Sequence, residues 1–169
     1  MQARRAFRFG VACARGRSRH DWREKAQKAE QLGYATFLVP DHLQDQLAPV
    51  PALLAAADAT TTIRIGSHVF ANDLRHPVML AKEAATLDLL SDGRFELGLG
   101  AGWLRAEYDQ AGVEFAPPGV RVAGLGFPDG VSIVVVPRAL REEKDVLVTP
   151  GGPVSDTLGH GVGLRPDDI

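Results

Sequence analysis

Asp41 and His42 follow an apolar run at 34–40, and they are side chains whose types and position could do chemistry. A carboxylate next to an imidazole can hold a proton donor or accept hydrogen bonds from a polar heterocycle. The alternative is a capping aspartate beside an exposed histidine. Because the pair ends a run that is otherwise apolar, we favour the functional interpretation and predict both residues as catalytic.

A metal site is the competing use of the same histidine. His42, His68 and His76 all lie near the ends of predicted strands, with Asp41 beside the first of them. Imidazole and carboxylate groups are common ligands of transition metals. The sequence contains no tight ligand pair such as His-x-His, and we therefore predict no metal.

Three glycines alternate with apolar residues in the segment GLGAG at 98–102. The pattern is similar to the dinucleotide fingerprint, in which glycines let the backbone approach a pyrophosphate. The spacing differs, because the third glycine of the fingerprint would stand where the chain has Trp103. The glycines instead indicate either the close approach of a flat ring or a chain to the backbone, or a tight turn from strand to helix.

The third segment, 66–72, combines a predicted strand with polar side chains in its second half. Such positions hold bulges or strained peptides that support ligands. Charges at Arg75, Glu83 and Glu107 could each contribute to the same pocket. Single charges on loops and helices are usually solvated, and we expect these three to be so.

The elements that must position these groups repeat as a strand followed by a helix. We predict strands at 7–11, 34–40, 63–70 and 94–99, and helices at 22–32, 52–59, 78–90 and 103–110. Nearly continuous apolar runs are typical of parallel strands covered on both faces, and helical spacing of apolar residues is typical of helices that dock by one stripe. The chain is therefore predicted as an α/β protein in which the carboxyl ends of parallel strands form the functional edge.

The repeat ends after 117–119, where glycine and proline interrupt every further pattern. We divide the chain into a barrel-like part at 1–121 and a divergent tail at 122–169, which we predict to be poorly ordered. Short elements conceivable in the tail are strands at 132–136 and 146–148 and a helical turn at 139–144. The prediction is thus four N-terminal strand-helix units and an irregular C-terminal tail.

Composition limits the partners and the compartment. The chain has 169 residues, 45% of them hydrophobic, with a formal net charge of -2. The length and the hydrophobic content suffice for one core. The small net charge provides no electrostatic field that attracts nucleic acid, although arginines cluster between residues 4 and 19. The lone cysteine, Cys13, is predicted to be a core residue. No apolar stretch approaches the roughly 20 residues that span a bilayer, and we predict a soluble cytoplasmic protein without a membrane partner.

Four segments together closely resemble the bacterial luciferase-like monooxygenase superfamily. They are YATFLVPDH at 34–42, RIGSHVFANDLRHP at 64–77, AKEAATLD at 81–88 and SDGRFELGLGAGW at 91–103. Within the superfamily, the resemblance is best to the actinobacterial oxidoreductases that depend on the deazaflavin coenzyme F420. It covers Phe7 to about Val122, and the stretch 82–103 is highly specific.

The resemblance implies a TIM-type (β/α) barrel that holds the cofactor ring at its strand ends, where hydride moves between the ring and a small-molecule substrate. It implies that Asp41 and His42 lie beside the ring, with His42 donating a proton or orienting the substrate. The peptide between His68 and Val69 matches a bulge that often contains a non-prolyl cis bond in this family. The implied cofactor-binding residues are Asp41, His68, Val69, Asn72, Gly100, Ala101 and Gly102.

The chain departs from the family pattern where a fifth unit would begin. A complete barrel of this kind takes roughly 250 residues, so the resemblance implies a partial, truncated barrel, for which a frameshift after Arg121 is one explanation. Unpaired strand edges would favour a homo-oligomer. The leading hypothesis is hydride transfer that depends on coenzyme F420. The alternatives are an FMN-dependent monooxygenase that uses reduced flavin and oxygen, and a non-catalytic fragment.

Overall fold

The computed structural model describes residues 7–125, and these form six short strands, five α-helices and one 3₁₀ turn. The strands are β1 (Gly10–Ala12), β2 (Thr36–Val39), β3 (Arg64–Ser67), β4 (Phe70–Ala71), β5 (Phe95–Glu96) and β6 (Leu99–Gly100). The helices are α1 (Arg19–Gln31), α2 (Pro49–Ala57), α3 (Pro77–Leu90), α4 (Arg105–Ala111) and α5 (Pro118–Ala123), with the 3₁₀ turn at Asn72–Leu74. The predicted alternation of strands and helices is confirmed.

All of these strands pair in parallel. Four of them form a sheet in the order β1-β2-β3-β5, and β4 pairs with β6 in a second sheet. One row of residues crosses the larger sheet, since Val11 pairs with Phe37, Phe37 with Ile65 and Ile65 with Phe95. Parallel neighbours need a crossover connection, which α1, α2 and α3 provide. The α/β fold class is therefore confirmed.

The core lies between the larger sheet and helices α1, α2 and α3. Trp22 of α1 packs edge-on against Phe37 of β2, with ring centroids 5.3 Å apart. Its indole nitrogen donates to the carbonyl oxygen of Ala52 in α2, at 2.8 Å. One buried aromatic residue thus joins two helices to the sheet, and its hydrogen-bond donor is satisfied. Cys13 is partly buried against this core, in line with its predicted core position.

The helices begin and end at residues whose chemistry suits those positions. The Ser18 hydroxyl caps α1 by accepting from the Asp21 amide at 3.1 Å, and Gly33 follows α1 with φ 80. Glycine adopts positive φ without the steric cost that other residues meet. Helices α2 and α3 start at Pro49 and Pro77, where the missing amide hydrogen removes no helix bond. Helix α2 therefore starts three residues before its predicted first residue.

The third and fourth predicted strands are each divided into two. The Ser67 hydroxyl donates to the carbonyl oxygen of Gly98 at 2.8 Å and lies 3.0 Å from the Gly98 amide. The Ser67 side chain thereby joins the two divided strands, and the Phe70 amide donates to the same carbonyl oxygen at 2.8 Å. The peptide between His68 and Val69 lies at this interruption and is cis, as the family resemblance implies.

Helix α5 extends the structure beyond the predicted end of the repeat. The predicted boundary after residue 121 falls inside this helix, which starts with Pro118 and has Arg121 in its last turn. The tail elements predicted at 132–148, and the predicted lack of order at 126–169, lie outside the described residues. Within residues 7–125, no helix combines the length and apolar character needed to cross a membrane.

Candidate active site

The polar residues and glycines singled out in the sequence lie at the carboxyl ends of the strands. They follow β2 (Asp41 and His42), β3 (His68 and Val69), β4 (Asn72) and β6 (Ala101 and Gly102, directly after Gly100). Neighbouring parallel strands end at the same edge of a sheet, so these residues belong to one face of the molecule. Hydrogen bonds from the following helices then fix individual side chains.

Asp41 forms a two-pronged ion pair with Arg75. Arg75 Nε donates to Oδ2 at 2.8 Å and Nη2 donates to Oδ1 at 2.7 Å, and the Ala71 amide donates to Oδ2 at 3.1 Å. The hydrogen bonds with Asp41 raise the pKa of Arg75, although burial of the guanidinium opposes this. The pair ties the end of β2 to the segment after β4. Asp41 is thus an anchor of the site, and its catalytic role stays a prediction.

His42 is hydrogen-bonded to Glu107 of α4. Its Nδ1 lies 3.0 Å from Oε1 and 3.2 Å from Oε2, and the Leu43 amide donates to Oε1 at 2.8 Å. A carboxylate has no hydrogen to donate, so Nδ1 of His42 carries the hydrogen of this bond. Within the described residues Nε2 has no hydrogen-bond partner. This nitrogen is therefore the one available to a ligand.

Sequence reasoning names Glu107 and Arg75 as charges that could contribute to the pocket, but it predicts that both are solvated. Glu107 is 5% exposed, and the Arg75 side chain is 24% exposed. The expectation is therefore wrong for both. Their partners lie 65 and 34 residues away along the chain, and no local pattern signals such pairs. Glu83 is a weaker contributor, since its carboxylate lies 3.8 Å from Arg75 and is 38% exposed.

The ring of Trp103 also lies against His42. The two ring centroids are 5.9 Å apart and the planes meet at 84°, an edge-to-face contact. Trp103 is 70% exposed. Helix α4 therefore supplies His42 with a carboxylate, and the segment before this helix supplies an exposed aromatic ring.

The glycines after β5 make room for Val69. A Cβ atom at Gly98 would lie 2.9 Å from Val69 Cγ1, and one at Gly100 would overlap Val69 Cγ2. Another part of this chain thus comes close to the glycine backbone, which is one of the interpretations that the sequence leaves open. Val69 remains 36% exposed and presents an apolar surface at the strand ends.

Gly102 and Tyr108 fix the backbone in front of Trp103. Gly102 has φ 67, and a Cβ atom there would collide with the Tyr108 hydroxyl. That hydroxyl lies 2.8 Å from the carbonyl oxygen of Ala101 and 3.1 Å from Asp73 Oδ2. Burial and the hydrogen bond with Asp73 raise the pKa of Tyr108, so the hydroxyl keeps its proton at neutral pH. It can therefore donate to either of these acceptors.

Asn72 is tied to the end of α5. Its Nδ2 donates to the carbonyl oxygen of Gly124 at 3.2 Å and lies 3.4 Å from Asp73 Oδ1. The amide oxygen has no hydrogen-bond partner among the described residues. Asn72 can therefore offer a ligand its oxygen while its nitrogen holds α5.

The three histidines considered for a metal site are not gathered into one. His68 and His76 are exposed, and His42 is bonded to Glu107. Between residues 7 and 125, no three or more histidine, cysteine, aspartate or glutamate side chains are arranged to hold a metal ion.

Comparison with protein-family models matches residues 6–123 to the luciferase-like monooxygenase family. The F420-dependent glucose-6-phosphate dehydrogenase of Beutenbergia cavernae is 40% identical over 110 residues, which are 60% of this chain and 29% of that protein. The 4-hydroxyprotoasukamycin monooxygenase of Streptomyces nodosus subsp. asukaensis is 33% identical over 108 residues, again 60% of this chain and 29% of that protein. The residues that the family model matches, 6–123, include every described strand and helix.

A solved structure shares this architecture. The coenzyme F420 dependent tetrahydromethanopterin reductase from Methanopyrus kandleri matches with a TM-score of 0.58 and 29% identity, over 64% of this chain and 30% of that chain. The chain spans about a third of the length of the curated relatives it matches. The described strands and helices therefore correspond to a partial barrel.

Proposed function

The chain belongs to the luciferase-like monooxygenase family, and on this basis we propose that it transfers hydride between coenzyme F420 and a small organic substrate. Similarity to F420-dependent proteins supports this cofactor. The observation that carries the proposal is the His42–Glu107 pair at the carboxyl ends of the parallel strands, where the exposed surface of Val69 also lies. Barrel enzymes built from parallel strands bind their ligands at these ends.

The residues at the strand ends fit a flat ring with a polar edge. Val69, backed by glycines, offers an apolar surface to the face of a ring. The backbone at 100–102 and the amide oxygen of Asn72 offer polar groups to its edge. We assign these residues and His68 to cofactor binding, with Asp41 as their anchor. When bound, the deazaflavin ring would supply the carbon that gives or accepts hydride.

His42 is the residue we assign to proton transfer. When a carbonyl carbon receives hydride, its oxygen must gain a proton, and in the reverse direction an alcohol oxygen must lose one. His42 can give or take this proton at Nε2, because Glu107 holds Nδ1. The Glu107 carboxylate stabilises the positive charge of the ring when both nitrogens are protonated. Glu107 acts through His42 and is therefore a positioning residue.

An FMN-dependent monooxygenase is the second candidate. The 33% identity to 4-hydroxyprotoasukamycin monooxygenase supports a monooxygenase reaction. In this reaction reduced flavin and oxygen would be the co-reactants. An apolar surface such as Val69 recognises the shape that flavin and deazaflavin rings share, so the two candidates must be separated by binding.

The test is a titration of the purified chain with coenzyme F420 and, separately, with FMN, followed by cofactor fluorescence and thermal unfolding. A ligand at 100 times its Kd stabilises a folded protein by about 2.7 kcal/mol, which gives a clear rise in melting temperature. We expect saturable binding of F420 and weaker binding of FMN. Tighter binding of FMN would favour the second candidate. Binding of neither would contradict both and leave the non-catalytic hypothesis.

The variant Val69→Asp tests whether the cofactor ring lies on Val69. A carboxylate on the apolar surface should weaken cofactor binding by about tenfold or more, because a charge would be desolvated under the ring. Leu32→Asp is the matched control, since Leu32 is 62% exposed at the end of α1, away from the strand ends. Equal affinity of the two variants would show that the ring does not lie on Val69.

A further inference from the structure

We infer that Trp103 forms the substrate-binding wall beside His42 and that it selects an uncharged substrate with a flat aryl or ring-shaped apolar group next to its alcohol or carbonyl carbon. This inference rests on the proposed function, because it assigns the substrate class of the same site. It is carried by the exposure of Trp103, by the way its backbone is held and by the chemistry of the side chains around His42.

The two tryptophans of the chain have opposite environments. Trp22 is 3% exposed, and its indole nitrogen is hydrogen-bonded inside the core. Trp103 is 70% exposed. Exposing so large an aromatic surface forgoes the stabilisation that its burial could contribute. A ligand that covers the ring would recover this stabilisation.

Trp103 is exposed on a backbone that is fixed on both sides. Before it, Gly102 adopts positive φ under the Tyr108 hydroxyl, which is bonded to the carbonyl oxygen of Ala101. After it, α4 begins, with the Glu107 amide donating to the carbonyl oxygen of Leu104 at 3.0 Å. A side chain held in this way loses little backbone freedom when a ligand binds.

The same helix start presents both Trp103 and Glu107 to His42. Glu107 holds Nδ1, and the ring of Trp103 meets the imidazole edge to face. The position of the proton-transferring group is thereby coupled to that of the aromatic wall. A substrate that stacks on Trp103 would bring its oxygen near the imidazole, which is the geometry that proton transfer needs.

The neighbouring residues favour an uncharged, apolar substrate. Leu43, directly after His42, is 40% exposed, and Val69 is 36% exposed at the adjacent strand end. Arg75 directs two nitrogens to the carboxylate of Asp41 and lies over the ring of Phe70, 4.9 Å from its centroid. This guanidinium is therefore committed within the protein and is poorly placed to bind a phosphate or a carboxylate of a substrate.

The test measures the affinity of the chain for 1-phenylethanol, with and without F420, by ligand-detected NMR. We compare wild type with Trp103→Ser, Trp103→Phe and the exposed-surface control Leu32→Ser. Trp103→Ser should bind at least about tenfold more weakly, because it removes the stacking surface. Trp103→Phe keeps a ring and should lose less than about threefold. Leu32→Ser should bind as wild type does.

Glucose 6-phosphate is the charged comparison, and we expect it to bind more weakly than 1-phenylethanol. Tighter binding of the phosphate, no binding of 1-phenylethanol to wild type, or equal affinity of wild type and Trp103→Ser would each overturn the inference. F420 titrations of the same preparations separate the two proposals. If F420 binds but the affinity for 1-phenylethanol does not depend on Trp103, the proposed function stands and the inference is contradicted. If 1-phenylethanol binding depends on Trp103 but F420 does not bind, the apolar wall is supported and the proposed cofactor is contradicted.

Discussion

Two buried carboxylates organise the side chains of the site, each through a cationic or protonatable partner. Asp41 holds Arg75 with both oxygens, and Glu107 holds His42 and the Leu43 amide. A buried charge is costly when it loses its partner, because the remaining group is left without compensation. The two pairs therefore fix the segments after β2, β4 and β6 relative to one another.

Replacing Glu107 by glutamine tests the pair with His42. Glutamine keeps an oxygen for the Leu43 amide but removes the negative charge that stabilises a doubly protonated imidazole. We expect the free energy of unfolding to fall by about 1 to 2 kcal/mol and the rate of hydride transfer to fall about 10- to 100-fold. Denaturant unfolding and steady-state kinetics measure the two effects.

A spectroscopic readout of the same variant needs no substrate. Nitrogen-15 NMR of the imidazole should show hydrogen predominantly on Nδ1 of neutral His42 in wild type and a weaker preference in Glu107→Gln. Glu24→Gln is the matched control, because Glu24 lies 3.2 Å from His20 in an exposed pair on α1. An unchanged tautomer ratio in Glu107→Gln would contradict the assigned role of Glu107.

Individual site residues are predictable from the sequence only where the local pattern is unusual. Asp41 and His42 stand out because polar residues follow an apolar run. Glu107 looks like any other glutamate of an exposed helix, since its partner lies on a different strand end. Its burial is produced by the packing of α4 against the end of β2, which no local pattern encodes.

At the scale of elements, one carboxylate joins α1 to the turn before β3. Glu30 Oε1 accepts from the amides of Thr61, Thr62 and Ile63, at 2.9, 2.6 and 3.0 Å, and from the Thr62 hydroxyl at 3.0 Å. Burial favours the protonated form, but these donors outweigh it and lower the pKa of Glu30 to about 2. The ionised carboxylate therefore stabilises the folded chain.

This pKa predicts how stability changes with pH. Glu30 has an ordinary pKa of 4.5 when unfolded, so its contribution is fully present above that pH and is lost as the pH falls toward 2. Glu30→Gln should lower the free energy of unfolding by about 1 to 2 kcal/mol at pH 7, allowing for partial solvent screening, and should flatten the pH dependence between 4.5 and 2. Urea unfolding at several pH values measures both. Glu24→Gln should change neither, and parallel pH profiles of wild type and Glu30→Gln would contradict the prediction.

The positions of the strands and helices can be predicted from apolar periodicity, whereas the interruptions within the strands cannot. Runs such as 34–40 must form buried strands, because their apolar residues leave no polar face. The division of β3 from β4 depends on the Ser67 hydroxyl meeting Gly98, a contact between residues 31 apart. Helix α5 is not predicted, because Pro118 is interpreted as a residue that ends regular structure. Proline is nevertheless well suited to a first helical turn.

At the scale of the whole molecule, the outer face of α2 and α3 carries more apolar surface than a solvated helix pair needs. Helix α3 buries Leu80, Ala84 and Leu87, yet its other sides expose Val78, Met79, Leu89 and Leu90 by 53% to 70%. Leu54 of α2 borders the same face. Lys82, Glu83 and Asp88 are the charged residues of α3, and an exposed apolar patch beside charged residues often marks an interaction surface. We propose that a second copy of the chain covers this α2–α3 face.

Charge on the α2–α3 face supports a second copy as the occupant. Lys82 and Glu83 stand side by side along the groove between the two helices. In a two-fold interface the same patch meets itself, so Lys82 of one protomer can pair with Glu83 of its partner. Such a pair would add to the apolar contact, although Glu83 also lies 3.8 Å from Arg75 of its own chain.

Leu90→Arg tests this association. We expect wild type to sediment as a dimer at micromolar concentrations and Leu90→Arg to dissociate at concentrations at least about tenfold higher than wild type does, because each dimer would bury two unpaired charges. Leu32→Arg, at a similarly exposed leucine directly after α1, should sediment like wild type. Sedimentation velocity across a dilution series measures the equilibrium. A monomeric wild type, or a dimer indifferent to Leu90→Arg, would contradict the proposal. The second result would direct attention to the edge of β1, which no strand among residues 7–125 pairs.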